Sequence, residues 1–152
     1  MKFVGMALII AAATALGAAS SFNLKKRVLV AESFISMAEI AFIEMRYSLP
    51  KRNEIFEMIE KSECVKYIKI VSECGRKSFD FSELQKDEKE ILLQFDSTLG
   101  TTDLEGQVSF LEYFKSKAVR LRDEKEEKFK KFSKLYIAMG ALGGCAASLM
   151  LL

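Results

Sequence analysis

Phe95-Asp96-Ser97-Thr98-Leu99-Gly100-Thr101-Thr102-Asp103-Leu104-Glu105 places a helix stop and a helix start within a few residues of each other. Gly100 can take the left-handed backbone conformation that ends a helix, and Thr102 with Glu105 three positions on has the spacing of a capping box. Leu99 to Asp103 therefore predicts a tight turn between two antiparallel helices. Upstream of it, Ser82 with Gln85 reads as another capping box, opening a helix that sets Leu84, Ile91, Leu92, Phe95 and Leu99 on one side. The all-charged run 86–90 reads as that helix's solvated face rather than an interaction site. Downstream, Leu104, Val108, Leu111, Phe114, Ala118 and Leu121 recur at helical spacing. The last helix then continues through charged residues 122–128 toward Phe129 and Phe132 as one rod.

Working back toward the N-terminus, residues 28–47 are apolar nearly all round, with polar residues confined to a stripe at Glu32, Ser36, Glu39 and Arg46. This predicts a mostly buried helix ending near Leu49-Pro50, because a residue before proline is pushed out of the helical region. A second helical region is expected from Lys51 to Cys74, carrying Ile55, Phe56, Ile59, Val65, Ile68 and Val71, with Ser62 restarting it after a short break and Gly75 stopping it. Gly75-Arg76-Lys77-Ser78 looks superficially like a phosphate loop. It lacks the upstream glycine and the apolar strand that such a loop needs, so nucleotide binding is not expected there.

Composition narrows the chemistry. The 152 residues contain one proline and are rich in Lys and Glu, which suits long helices. There is no histidine, so the commonest general base and metal ligand is missing. The net charge of +2 averages a balanced middle with local basic clusters, which does not resemble a nucleic-acid footprint. The three cysteines, Cys64, Cys74 and Cys145, form no CxxC pair and read as single buried thiols. No metal, cofactor, small-molecule substrate or nucleic acid is expected.

The ends are apolar. Phe3 to Leu24 is uncharged and would rise about 33 Å as helix, and Leu135 to Leu152 about 27 Å, against a hydrocarbon core of about 30 Å. Both are expected to be transmembrane helices, although Gly17, Ala18, Ala19 and Ser20 also permit a cleaved signal peptide as the first. Lys25, Lys26 and Arg27 after the first and Lys128, Lys130, Lys131 and Lys134 before the second would hold the middle in the cytoplasm. Ala13 and Gly17, and Gly140 and Gly144, have the four-residue spacing of close helix packing within a membrane, a spacing that membrane helices also show by composition alone. The expected fold is thus all-α, an antiparallel helical bundle flanked by an N-terminal and a C-terminal transmembrane helix. The expected parts are a membrane anchor (1–27), a cytoplasmic bundle (28–134) and a transmembrane helix (135–152).

The run Gln94 to Asp103, followed by Gln107, resembles the signature of the stage III sporulation protein AB family. So do an apolar start, a Glu-x-x-Tyr element at Glu44 to Tyr47 before a proline, and a Leu-Gly-rich end from Met139 to Leu152. Two departures stand out: Asp96 occupies a position where the family usually has glycine, and residues 75–81 are shorter than in typical members. The resemblance implies a part in endospore formation, in the mother-cell membrane around the forespore, with other stage III sporulation proteins as partners. Members are similar in their soluble domain to the type II secretion platform protein. That implies an adaptor between a cytoplasmic secretion-type ATPase and membrane rings, and no catalytic residue.

The leading expectation is therefore a membrane-anchored scaffold and not an enzyme. The alternative is a small membrane enzyme or enzyme subunit using carboxylates such as Glu39 and Glu44. Phe95, Leu99, Gly100, Asp103 and Gln107 are the candidate interaction residues, to be weighed against a purely structural role in ending one helix and starting the next.

Overall fold

The computed structural model describes residues 2–48, 50–73 and 76–150, and the side-chain surroundings of all of these except 2–4, 6, 7, 9, 10, 64, 73, 76 and 148–150. Four α-helices dominate: α1 (Lys2–Tyr47), α2 (Arg52–Lys61), α3 (Lys86–Thr98) and α4 (Leu104–Met150). Between α2 and α3 lie a short 3-10 turn (Glu63–Val65) and two strands, β1 (Ile70–Glu73) and β2 (Arg76–Phe79). The chain forms two compact units, one of residues 1–28 with 123–152, the other of residues 29–122.

The second unit holds the main core. Residues 29–47 of α1 bury Val30, Ala31, Phe34, Met37, Ala38, Ala41 and Met45, matching the nearly all-apolar face read from the sequence. Phe34 meets Phe114 of α4 at 6.4 Å between ring centroids. Phe114 lies 4.7 Å from Phe95 of α3, Phe95 lies 6.0 Å from Phe79 of β2, and Phe79 lies 4.8 Å from Phe56 of α2. Tilted rings at these separations add to the area term for burying them, by about 0.5–1.5 kcal/mol per pair.

Residues 62–73 differ from the helix expected up to Cys74. Ser62 caps the C-terminus of α2, its N–H reaching the carbonyls of Met58 and Ile59, both at 3.1 Å. The strands that follow pair antiparallel, Ile70 opposite Phe79 and Val71 opposite Ser78. Period-2 burial decides the outcome: Ile68 and Phe79 are buried and Ile70 packs against the core, while Tyr67 and Val71 are exposed. The β-branched residues here fit a pleated half-buried ribbon better than a helix. Lys77 Nζ donates to Glu60 Oε2 at 2.8 Å, and Lys69 Nζ to Glu83 Oε1 at 2.7 Å. Gly75 lies outside the described residues.

Both expected capping boxes shift. The α3 start is fixed by the Gln85 N–H donating to Glu88 Oε2 at 2.8 Å, three residues beyond the expected Ser82 cap. Glu88 is fully buried rather than on a solvated face. At α4 the first residue is Leu104, and the Gly106 N–H donates to Asp103 Oδ1 at 3.3 Å, so the cap is Asp103 and not Thr102.

In the first unit the two helices run antiparallel and touch backbone to backbone. A Cβ placed on Gly17 would lie 2.5 Å from the Tyr136 carbonyl oxygen, and one on Gly140 would lie 2.6 Å from that of Ala13. Gly144 is buried and Ala13 half-buried. Cys145 is exposed, contrary to the buried thiol expected, and the side chains of Cys64 and Cys74 lie outside the described residues.

Among the described residues no helix is long and apolar enough to cross a membrane. This corrects the expectation of transmembrane helices at residues 1–27 and 135–152. The membrane-anchored scaffold, the mother-cell membrane location and the cytoplasmic placement of the middle domain go with it.

Candidate interaction surface

The α3–α4 corner is built inward. Gly100 has φ +82°, the left-handed region that glycine enters without penalty. Its N–H donates to Gln107 Oε1 at 3.2 Å, while Gln107 Nε2 donates to the Thr98 carbonyl at 3.0 Å and to Thr102 Oγ1 at 2.8 Å. One buried amide thus satisfies the end of α3, the turn and the start of α4. Phe95, Leu99 and Gln107 are buried, and of the five candidate residues only Gly100 and Asp103 reach the surface.

A residue that the sequence reading passed over completes the corner. Arg52, at the start of α2, donates through Nη1 to the carbonyls of Asp96 and Leu99 and through Nη2 to Asp96 Oδ1 at 2.7 Å. Its guanidinium carbon lies 5.0 Å from the centre of the Phe56 ring. A cation at the C-terminal end of α3 also meets the negative end of the helix dipole. The only cue available from the sequence was Asp96, an acidic residue near the end of α3.

The open feature lies elsewhere on the same unit. Ala38, Glu39, Phe42 and Ile43 of α1 and Leu111, Glu112 and Lys115 of α4 line a groove of about 370 Å³. Its floor is apolar, formed by the buried Ala38 and Leu111 with the half-buried Phe42. Ile43 stands 53% exposed at its edge. Lys115 Nζ binds Glu39 Oε1 at 2.8 Å and ties the two walls together, and the Arg46 guanidinium carbon lies 5.9 Å from the centre of the Phe42 ring.

The carboxylates proposed for an enzyme do not converge. Glu39 is engaged by Lys115, and Glu44, five residues on, is rotated by about 140° around α1. Ser48 Oγ donates to the Glu44 carbonyl at 3.2 Å and to its carboxylate at 3.5 Å. Among the described residues no group of three His, Cys, Asp or Glu side chains could hold a metal ion. In β2, Lys77 is drawn to Glu60 and lies 3.8 Å from Glu57, which leaves it poorly placed to hold a phosphate.

The family model described as stage III sporulation protein AB matches residues 2–80 and 68–152 of the chain. No curated protein and no solved structure matches it.

Proposed function

The chain belongs to the stage III sporulation protein AB family, and from that premise we propose that it is a non-catalytic docking subunit whose α1–α4 groove receives a secretion-type ATPase. Family membership implies interaction with other stage III sporulation proteins. The observation that carries the reading is the groove itself: an apolar floor left open to water, edged by an exposed isoleucine, on the unit with the firmest core. Uncovered apolar surface of this kind costs free energy that a partner recovers, at about 25 cal/mol per Å². The non-catalytic part rests on the inward-facing corner and on carboxylates that point apart on α1.

The test measures binding of the full chain to the purified ATPase, with Ile43→Asp as the variant. Ile43 is half exposed, so the change spares the core. Saturable binding that weakens at least about tenfold in the variant is expected, since a charge in an interface core leaves a desolvated group unpaired. Unchanged binding by the variant would remove the groove from the interface. Absence of any binding would remove the ATPase.

A further inference from the structure

The outer side of β1 is a strand edge. Its neighbour β2 packs against α2 and α3, while Val71 and Ser72 of β1 are exposed. The Asp80 N–H donates to the Lys69 carbonyl at 2.8 Å, which fixes the phase of the ladder. In antiparallel strands every second residue turns its backbone groups toward its neighbour, so Lys69, Val71 and Glu73 turn theirs to β2 and Ile70 and Ser72 turn theirs outward. Among the described residues no backbone bond from elsewhere reaches Ile70 or Ser72. We propose that this edge pairs with the same edge of a second copy of the chain, antiparallel and centred on Val71, joining two ribbons into one sheet.

Backbone phase and charge both select a second copy. Pairing about Val71 sets Ile70 opposite Ser72 of the second copy, the very residues whose backbone groups are turned outward, and each such pair exchanges both its N–H to carbonyl bonds. Lys69 then lies opposite Glu73 of the second copy. Within each ribbon Lys69 is already level with Asp80, and Glu73 with Arg76. A row across the joined sheet therefore runs Asp80, Lys69, Glu73, Arg76, with acid and base alternating from one strand to the next. Opposite charges directly across stabilise a strand pair, and like charges oppose it. Lys69 also bonds Glu83, yet its side chain is 66% exposed and open to a second acid. A slip by two residues keeps the backbone phase but sets Lys69 or Glu73 opposite Val71, which breaks the alternation. An edge lysine ordinarily repels foreign strands, and here Glu73 of an identical strand answers it.

The experiment uses the full chain with Cys64, Cys74 and Cys145 replaced by alanine and Val71→Cys added. In the proposed pairing position 71 meets itself with Cα atoms about 4.5 Å apart, within disulfide reach. Mild oxidation should give at least about fivefold more covalent dimer than the same chain carrying Tyr67→Cys, an exposed position outside the strand. Glu73→Lys should cut that yield at least about threefold by setting Lys opposite Lys69, and adding Lys69→Glu to it should restore the yield. Ser72→Pro should abolish the dimer with circular dichroism unchanged, because it removes an N–H that is turned away from β2. Sedimentation of the wild-type chain should show a reversible dimer that grows with concentration. Equal yields from positions 67 and 71 would reduce the contact to random collision and overturn the proposal. A dimer that survives Ser72→Pro would rule out strand pairing, and a loss in Glu73→Lys that the charge exchange does not restore would rule out this register. A wild-type chain that stays monomeric at every concentration would also refute it.

Discussion

Replacing Arg52 by methionine keeps the aliphatic stem over Phe56 and removes the guanidinium that closes α3. Three hydrogen bonds are lost: two to the carbonyls of Asp96 and Leu99 and one to the Asp96 carboxylate. Hydrogen bonds to charged groups contribute about 1.5–3 kcal/mol each when water cannot replace them. Here the two side chains are 18% and 17% exposed, so water recovers part of the loss. The expected cost is about 2–4 kcal/mol. Asp96→Ala should cost less, about 1–2 kcal/mol, because the guanidinium still binds both carbonyls. The double variant should then show a coupling of about 1–2 kcal/mol. Urea unfolding followed by circular dichroism measures all three, and the methionine variant should lower the midpoint by about 1–2 M. A loss below about 0.5 kcal/mol for Arg52→Met would refute the clamp. Equal losses for Arg52→Met and Asp96→Ala would mean that the ion pair acts alone and the carbonyl bonds contribute nothing.

Three further outcomes are expected. Gly100→Val should destabilise by about 1–2 kcal/mol or more, because a β-branched residue is forced to φ > 0; thermal melts would show it, and an unchanged melting temperature would contradict the backbone argument. Gly17→Val should prise α1 from α4 in the first unit, because its Cβ would sit 2.5 Å from a backbone oxygen; a lower melting temperature than wild type is expected, and an unchanged one would count against the close approach. Lys77 is raised above its usual 10.5 chiefly by its hydrogen bond to Glu60, so its stabilising effect is fully present below pH 10.5 and fades as pH rises through its folded value. The gap in melting temperature between wild type and Lys77→Met should accordingly close in strong alkali, and a gap that widened there would reverse the assigned sign.

The helix-to-helix corner was legible because its signals are local. Gly100 must reach φ > 0, and the apolar periods on either side switch phase across it. The exact cap residues were not: Thr102 and Asp103 are both good caps, and Ser82 is by propensity a better cap than Gln85, so only the packed register of α3 and α4 selects between them. Residues 62–73 misled for a related reason: Val65, Ile68 and Val71 fit a helical period, and what makes this stretch a ribbon is Phe79 wedged between Phe56 and Phe95, a contact made across the fold. The groove is equally non-local. Ala38 and Leu111 look like ordinary core positions in sequence, and Glu112 like an ordinary solvated charge; only the pairing of α1 with α4 sets them around one opening. Arg52 was invisible because its partners are more than forty residues away. Membrane crossing was read from the uncharged ends, and among the described residues no helix is long and apolar enough for it.

The rings of Phe34, Phe114, Phe95, Phe79 and Phe56 come from α1, α4, α3, β2 and α2 in turn, and each touches the next. An ancestral version of this unit lacking any one of those elements would have had a break in the series and an unshielded aromatic face. The unit is therefore hard to assemble by stepwise addition of helices. Change along its lineage should be found in the outer ends of loops, with the order and number of elements held constant.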